Sequence, residues 1–355
     1  MFEDLLRRWD GEHAVIRHDS ESGAWMLVCI HSTRLGPAMG GTRLKSYDGP
    51  AEALEDALRL AAGMTRKLAV LGLPCGGGKA VLAVPEVPSG EARRRLLESY
   101  GELIESLGGS YVTGPDVNTG EADMDVIGGR TAHVFCRSCA AGGSGDPSIH
   151  TALGVFHGIK ATLAHLDGSD DLTGRTVLVQ GTGSVGAKLA RLLLDAEAVV
   201  LVSDVDEERA RATGGRPVPA DAALELECDV YAPCALGATL DEASIPRLRC
   251  RAVAGAANNQ LAEPDDAERL RAAGILYAPD YVINGGGALH GIGLEQLGWD
   301  PEQLEREVAG IADTLTGLYQ QADEERITTN EAAERLAAMR LARTDGDVPV
   351  SASER

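Results

Sequence analysis

The first third of the chain mixes the apolar spacing of strands with that of helices. In the segment 51–67, apolar side chains at Leu54, Leu58, Ala61 and Met64 recur every three or four residues, which predicts an amphipathic helix. The segment EARRRLLESYGELIESLGG predicts a second, long helix that ends on glycines. Strands are predicted for the largely apolar or β-branched runs GAWMLVCIHS, KAVLAVP, SYVTGPDV and AHVFC.

After a loop rich in glycine and serine at 140–148, apolar strand-like runs alternate regularly with helical patterns, which favours a parallel sheet. The predicted strands are RTVLVQG, AVVLVSD, CDVYAPC, RAVAGA and GILYAPDYVINGG. A long helix is expected from Pro301. Thr328 and Glu331 have the spacing of a capping box and predict the start of a last helix, and the tail from about Thr344 is expected to be disordered.

Composition narrows the class of protein. The 355 residues carry a net charge of −21, which would repel a phosphate backbone, so nucleic acid is not expected as a partner. The first residues have no apolar core of a signal peptide, and no apolar run is long enough to span a membrane. The seven cysteines are scattered, and the pair Cys136 and Cys139 has no second pair to complete a metal site. We therefore expect a cytoplasmic protein with reduced thiols and no metal.

One glycine pattern predicts a dinucleotide site. Gly181, Gly183 and Gly186 form G-x-G-x-x-G between a β-branched strand and a helical pattern, and the next predicted strand ends in Asp204. The glycines permit a tight turn, close approach of the backbone to a pyrophosphate, and close packing of helix on strand. Asp204 would accept hydrogen bonds from ribose hydroxyls and repel a 2′-phosphate, which favours NAD over NADP, although Arg209 follows nearby.

Two of the five lysines are candidate functional residues, because the chain otherwise uses arginine, with 28 residues, as its basic side chain. Lys79 follows three glycines in PCGGGKAV, and Lys67 lies twelve residues before it. This is not a phosphate loop, because Leu73 and Ala80 replace the required Gly and Ser/Thr. Burial can lower the pKa of a lysine into the range of a base, so Lys79 is a candidate general base. The candidate carboxylate is Asp116 at a predicted strand end, where a turn-capping role is equally typical.

Six blocks in order resemble the glutamate/leucine/phenylalanine/valine dehydrogenases: LGPAMGGTRL, GMTRKLAVLGLPCGGGKAV, YVTGPDVNTGEADMD, YAPCALGATL, AGAANNQL and YAPDYVINGGGALH. The similarity covers nearly the whole chain and is greater to the short leucine and phenylalanine enzymes than to the glutamate enzymes. It implies an α/β fold of two domains with a cleft between them. Residues 1–142 would form the substrate and oligomerisation domain, 143–325 the NAD-binding Rossmann domain, 326–345 a helix returning to the first domain, and 346–355 a disordered tail.

The resemblance also implies roles for residues. Lys67 would bind the substrate α-carboxylate beside Gly40 and Gly41, and Lys79 would activate water as general base. Asp116 would exchange a proton with the amine and with Lys79. A hydride would pass from the substrate α-carbon to NAD, and the imine would be hydrolysed to a 2-oxo acid and ammonium. Asn258 would position both the substrate amine and the nicotinamide. The other residues implied for the cofactor are Arg43, Thr151, Gly181, Thr182, Gly183, Ser184, Val185, Gly186, Asp204, Ala235, Ala256 and Ala257. A homo-oligomer is implied as well.

The side-chain pocket predicts an apolar substrate. Met39 stands where a γ-carboxylate would require a lysine, so glutamate is disfavoured. Gly114, Ala288 and Gly291 are small and would leave room, unless Met39 refills it, which places phenylalanine first with leucine or valine close behind. Two other readings stay open. A hydroxy-acid or alcohol dehydrogenase would need a histidine in place of Lys79, and only His290 lies in these blocks. The other is an inactive NAD-binding sensor.

Overall fold

A computed structural model describes residues 2–342 of the chain. The predicted disordered tail, residues 346–355, lies outside the described residues. Within 2–342 the structure contains two separate β-sheets with helices packed against both. None of the described helices combines the length and the apolar character needed to cross a bilayer.

The first sheet has five strands: β1 (His13–Asp19), β2 (Ala24–Ser32), β3 (Ala38–Lys45), β4 (Gly76–Ala83) and β5 (Tyr111–Pro115). Their order across the sheet is β1-β2-β4-β3-β5. The pairs β1–β2 and β2–β4 are antiparallel, whereas β3 is parallel to both β4 and β5. The helices of this part are α1 (Phe2–Arg8), α2 (Pro50–Val70), α3 (Gly90–Ser106) and α4 (Glu121–Gly128).

Alternation along the strands divides this sheet into two faces. On β4, Val81 and Ala83 pack in one apolar cluster with residues of α2, and Ala80 and Leu82 pack in another with residues of α3. Because side chains two residues apart on a strand share a face, Lys79 lies on the α2 face with Val81. This placement brings the candidate base next to the helix that carries Lys67.

The second sheet has six parallel strands: β6 (Thr176–Gln180), β7 (Val199–Ser203), β8 (Arg216–Pro217), β9 (Cys228–Pro233), β10 (Cys250–Val253) and β11 (Leu276–Tyr277). The order β11-β10-β9-β6-β7-β8 is that of a doubly wound sheet, with its topological switch point between β6 and β9. The helices are α5 (Ser148–Asp167), α6 (Ser184–Asp195), α7 (Glu207–Ala212), α8 (Asp266–Ala272), α9 (Asp280–Ile283), α10 (Gly286–Glu295), α11 (Pro301–Ala309), α12 (Ile311–Glu325) and α13 (Thr329–Ala342). The predicted two-part α/β fold is confirmed.

Three predicted elements differ from the structure. AHVFC forms only an isolated bridge between Val134 and Thr113, because Cys136 turns the chain with a φ of 57°. The strand predicted for GILYAPDYVINGG ends after two residues, since Pro279 has no N–H for the ladder and α9 begins behind it. The long helix expected from Pro301 is divided into α11 and α12 at Gly310.

The last helix packs on the first part of the chain, as predicted. The backbone N–H of Glu331 donates to Thr328 Oγ1 at 3.0 Å, which is the cap expected from the sequence. At the other end, the Arg340 guanidinium donates to the carbonyl oxygens of Ala69, at 3.0 Å, and Val70. Helix α13 therefore returns to the end of α2. The domain boundaries at 142 and 325 stay predictions.

The turn between β6 and α6 shows why each of its glycines is needed. Gly181 has a φ of 96°, and an added Cβ would lie 2.6 Å from the Cβ of Ala235. A Cβ on Gly186 would overlap the carbonyl oxygen of Gly181, whereas a Cβ on Gly183 would meet nothing within 4 Å. Gly181 and Gly186 thus serve packing, and Gly183 borders open space at the N-terminus of α6, where a phosphate group would be stabilised.

This difference predicts that one of two matched substitutions changes stability and the other changes ligand binding. Gly186→Ala should destabilise the protein by about 1–3 kcal/mol, because the methyl group overpacks the turn. Gly183→Ala should leave the thermal midpoint nearly unchanged, since its φ of −69° suits alanine and space is available. It should nevertheless weaken NADH binding by blocking the approach of a pyrophosphate. Calorimetry and NADH titration check both; equal losses of stability would contradict the packing argument.

Candidate active site

The centre of the site is an ion pair that crosses β3, between β4 and the end of β5 in the first sheet. The Nζ of Lys79, on β4, lies 3.0 Å from Oδ2 of Asp116, the residue that follows β5. The Lys79 side chain is only 7% exposed. The same Oδ2 accepts a hydrogen bond from Nε of Arg43, on β3, at 2.9 Å, and Arg43 also donates to Asp56. Three strands thus contribute one charged residue each.

The two cations keep the Asp116 carboxyl ionised. Burial by itself would raise the pKa of this carboxyl, but the charges of Lys79 and Arg43 outweigh it and lower the pKa to about 2. An ionised carboxylate is a hydrogen-bond acceptor only. At neutral pH Asp116 can therefore receive hydrogen bonds from ammonium groups, from Lys79 and from a ligand alike.

Lys67, in the last turn of α2, is a further cation of the site. The pKa of its ammonium is lowered to about 8: burial is the largest cause, Asp280 opposes it, and the charge of Lys79 adds to the lowering. Its Nζ donates a hydrogen bond to Oδ1 of Asn284 at 2.6 Å. The charge of Lys79 therefore affects Lys67, so the two lysines lie close to each other.

Asn284 connects Lys67 to the loop after β10. Its Nδ2 donates to Oδ1 of Asn258 at 2.7 Å and to the carbonyl oxygen of Ala256 at 3.1 Å. Asn284 lies between α9 and α10, and its side chain is buried. The structure thus joins the predicted substrate residue Lys67 to the predicted cofactor residues Asn258 and Ala256 through a single amide.

Asn284 and Asp280 were not among the residues singled out from the sequence. Both stand in the block YAPDYVINGGGALH, where their polar side chains interrupt an otherwise apolar run, and that interruption was the available signal. Asp280 is buried, and burial raises the pKa of its carboxyl although Lys67 opposes this. Its Oδ2 accepts a hydrogen bond from the backbone N–H of Asn259.

Gly40 and Gly41 lie beside the ion pair, and strand packing requires both. A Cβ on Gly40 would overlap the carbonyl oxygen of Gly78, and a Cβ on Gly41 would overlap that of Pro115 and lie 2.9 Å from the Cβ of Asp116. Both glycines are fully enclosed in the sheet. Any role in carboxylate binding would thus be carried by their backbone.

The space expected beside Gly114 and Gly291 is occupied. A Cβ on Gly114 would overlap the ring of Phe135, and a Cβ on Gly291 would lie 2.7 Å from the same ring and 2.5 Å from Sγ of Cys136. Met39 is buried in the same apolar cluster, and Ala288 packs against it. The argument that these glycines leave room for an aromatic substrate is therefore corrected: Phe135, which the sequence reading passed over, fills the gap.

The residues expected at the cofactor lie in the part of the chain that contains the second sheet, with one exception. Asp204 Oδ2 accepts hydrogen bonds from the backbone N–H and the Oγ1 of Thr182, at 2.7 and 2.9 Å, which fixes the carboxylate at the end of β7. Ser184 and Ala235 are exposed beside the turn, Val185 is half-buried, and Ala257 is buried behind Asn258. The exception is Arg43, whose guanidinium binds Asp116 and Asp56 in the first sheet.

Thr151, also expected at the cofactor, lies in the first turn of α5. Its Oγ1 donates to the carbonyl oxygen of Pro147 at 3.1 Å, and a Cβ on Gly287 would lie 2.5 Å from that Oγ1. Helices α5 and α10 therefore approach each other closely at this point, where Gly287 contributes no side chain. All seven cysteines have free thiols, and no group of three or more potential metal ligands is found among residues 2–342.

Comparisons with known proteins agree with this geometry. Residues 18–133 match the family "Glu/Leu/Phe/Val dehydrogenase, dimerisation domain", and residues 142–208 and 202–347 match "Glutamate/Leucine/Phenylalanine/Valine dehydrogenase". Leucine dehydrogenase of Thermoactinomyces intermedius is 43% identical over 95% of this chain and 93% of its own length. Valine dehydrogenase of Streptomyces albus is 43% identical over 93% of this chain and 92% of its own.

A solved structure is similar over the same extent. The L-tryptophan dehydrogenase from Nostoc punctiforme has a TM-score of 0.81 and 40% identity, and the match covers 96% of this chain and 98% of that one. The hetero-hexameric glutamate dehydrogenase from Thermus thermophilus has a TM-score of 0.74 and 27% identity. Two matching family descriptions and relatives above 40% identity over almost the whole chain lead to one conclusion: this chain belongs to the Glu/Leu/Phe/Val dehydrogenase family and is an amino-acid dehydrogenase.

Proposed function

We propose that the protein catalyses the NAD-dependent, reversible oxidative deamination of an apolar L-amino acid to its 2-oxo acid and ammonium, with leucine or valine as the preferred substrate. The observation that carries the proposal is the buried contact of 3.0 Å between Lys79 and Asp116, with Lys67 close enough to be affected by the charge of Lys79. The ammonium groups of Lys67 and Lys79 and the carboxylate of Asp116 are complementary in charge to the carboxylate and ammonium groups of an amino acid.

Lys67 is the residue proposed to bind the substrate carboxylate. Its ammonium at present donates to Asn284 Oδ1, an uncharged oxygen. A carboxylate is a stronger acceptor for an ammonium donor than an amide oxygen, because the hydrogen bond is charge-assisted on both sides. Substrate would therefore take the place of Asn284 at Lys67 and raise the pKa of the lysine, since a negative charge favours the protonated form.

Lys79 and Asp116 are proposed to move the protons. Asp116 would accept a hydrogen bond from the substrate amine, and Lys79, once neutral, would remove a proton from the water that attacks the imine. The charge of Lys79 contributes much of the lowering of the Asp116 pKa. That contribution disappears when Lys79 is neutral, so the carboxylate becomes a better proton acceptor at the stage when the lysine acts as a base.

The residues of the β6–α6 turn fit a dinucleotide. The open space at Gly183, the N-terminus of α6 and the anchored carboxylate of Asp204 would hold the pyrophosphate and the adenosine ribose. Bound NAD would supply a nicotinamide ring that accepts the hydride from the substrate α-carbon. Asp204 would disfavour a 2′-phosphate by charge repulsion, which supports NAD over NADP.

The choice of a branched-chain substrate rests on two observations. The ring of Phe135 fills the space beside Gly114 and Gly291 that a large aromatic substrate would need. Relatives 40–43% identical to this chain carry the names leucine dehydrogenase and valine dehydrogenase. An aromatic substrate is the second candidate, because a protein named tryptophan dehydrogenase is 40% identical over 96% of the chain.

We also propose that the protein forms a homo-oligomer through its first sheet. Residues 18–133 match a family described as a dimerisation domain, and that match includes strands β2, β3, β4 and β5, of which β5 lies at an edge of the sheet. The glutamate dehydrogenase from Thermus thermophilus is described as hetero-hexameric. Sedimentation of the purified chain would establish the number of subunits.

A substrate panel tests the proposal directly. With NAD, kcat/KM should be highest for leucine or valine and lower for phenylalanine, tryptophan and glutamate. One methylene group too many or too few in an apolar pocket changes the ratio of kcat/KM between two substrates by about 10–200-fold. With NADP, turnover should fall because of Asp204. A preference for glutamate would overturn the apolar pocket, and the absence of amino-acid-dependent NADH formation would overturn the proposed activity.

Substitution of the proposed base should separate chemistry from binding. Lys79→Ala should lower kcat by about 10²–10⁴-fold, the usual contribution of a positioned acid or base. Binding of NADH, measured by fluorescence titration, should stay close to that of the unchanged protein. Lys160→Ala is the matched control, since Lys160 pairs with Asp170 at the surface. Rates near the original for Lys79→Ala would remove Lys79 from its role.

The lowered pKa of Lys67 predicts a pH dependence of substrate binding. In the free protein this ammonium loses its proton above about pH 8, so the affinity for a 2-oxo acid should fall as pH rises through that value. The Kd should increase by up to about tenfold per pH unit, the limit for loss of one proton. Calorimetric titration with NADH present and ammonium omitted measures binding without turnover. In Lys67→Arg, whose guanidinium stays protonated, affinity should be lower but independent of pH from 7 to 10.

A further inference from the structure

We propose that Phe135 determines the substrate specificity of this site: its ring forms the end of the side-chain pocket and limits the substrate to branched-chain size. This inference rests on the proposed function, because it concerns the apolar part of the same substrate. Phe135 lies outside the six sequence blocks that resemble the family. Its part in the site emerges only from the three-dimensional contacts.

The Phe135 ring lies between strand β5 of the first sheet and helix α10 of the second part of the chain. On one side it contacts Gly114 of β5, and on the other it contacts Gly291 of α10, where an added Cβ would be 2.7 Å from the ring. Neither neighbour has a side chain, so the phenyl group fills the gap between strand and helix, with Sγ of Cys136 beside it at Gly291. It is 7% exposed, and it belongs to the same apolar cluster as Met39 and Val112.

The position of the ring relative to the ion pair follows from strand geometry. Gly114 and Asp116 are two residues apart, so they share a face and their Cα atoms lie about 7 Å apart. Asp116 and Lys79 would hold the reacting amine end of the substrate. The ring that packs against Gly114 would therefore lie about the length of one amino-acid side chain from the reacting carbon of the substrate.

The polar groups leave one direction for the substrate side chain. Lys67, Lys79 and Asp116 surround the carboxylate and the amine, and a side chain without polar atoms would avoid them. Met39 and Val112 of the first sheet pack in the same apolar cluster as Phe135, which lies across Gly114. A leucine or valine side chain would end against the ring, whereas a second aromatic ring would overlap it.

Phe135 is held firmly in this position. Its backbone N–H donates to the carbonyl oxygen of Thr113 at 2.9 Å, and the next N–H, of Cys136, donates to Oε1 of Glu295 at 2.6 Å. Glu295 stands at the end of α10 and also accepts from the backbone N–H and Oγ of Ser144. Because the segment is tied to β5 and to α10, the backbone of Phe135 is fixed, and the ring itself is enclosed between Gly114 and Gly291.

Two substitutions of Phe135 test the inference. Phe135→Ala removes the ring, and Phe135→Leu shortens it while keeping an apolar group in place. The measured quantity is the ratio of kcat/KM for phenylalanine to kcat/KM for leucine. Phe135→Ala should raise this ratio at least about tenfold, the lower end of the effect of pocket size, and Phe135→Leu should raise it by a smaller factor. The gain should come mainly from a lower KM for phenylalanine.

Phe156→Ala is the matched control. Phe156 is a half-buried phenylalanine of α5 that packs against the same large apolar cluster, away from Gly114 and Gly291. Its removal should lower stability without changing the ratio. A second control uses the overlap at Gly114, where the nearest atoms to an added Cβ all belong to the Phe135 ring: Gly114→Ala alone should reduce activity, and adding Phe135→Ala should restore at least part of it, because the methyl group then has space.

The outcomes separate this inference from the proposed function. If the unchanged protein oxidises leucine or valine and folded Phe135→Ala leaves the ratio unchanged, the specificity role is overturned and the proposed function stands. Equal losses for both substrates would likewise assign Phe135 a structural role only. If the unchanged protein oxidises no apolar amino acid, the proposed function itself fails. Should Phe135→Ala lack a thermal unfolding transition, Phe135→Leu decides alone, and an unchanged ratio there overturns the inference.

Discussion

The interaction on which this site depends is the sharing of one carboxylate oxygen by two cations. Oδ2 of Asp116 lies 3.0 Å from Lys79 and 2.9 Å from Arg43, and these three residues come from or directly follow three adjacent strands. Charges taken out of water are tolerated only when they are paired and hydrogen-bonded. The register of the strands must therefore be held closely, and Gly40 and Gly41 make it possible because they let three backbones approach without intervening side chains.

Much of this arrangement could be predicted from the sequence because its signals are local. The glycine turn, the β-branched strands around it, the capped last helix and the lysine after three glycines each lie within one short segment. The family resemblance added the pairing of Lys79 with Asp116. The strand predicted for AHVFC was wrong because a single backbone angle, at Cys136, ends the extension, and the residue type gave no warning of it.

What the sequence could not indicate are contacts between distant segments. Lys67 and Asn284 are 217 residues apart, and the local sequence around either residue does not indicate a contact with the other. A glycine shows that no side chain is present but does not show what occupies the space, so Gly114 and Gly291 were interpreted as room for a substrate. In the structure that room belongs to Phe135. Which group occupies the space beside a glycine depends on residues that are near it in the fold, and here these residues come from other parts of the chain.

The contact between the last helix and α2 has a consequence for biosynthesis. The final carbonyl groups of a helix need partners from outside it, and those of Ala69 and Val70 are satisfied by Arg340, 271 residues from Ala69. These carbonyls follow Lys67 in the same helical turn. The helix that presents the carboxylate-binding lysine is thus completed only when almost the entire polypeptide has left the ribosome. A nascent chain could fold its nucleotide-binding sheet earlier, yet its amino-acid site would be finished last.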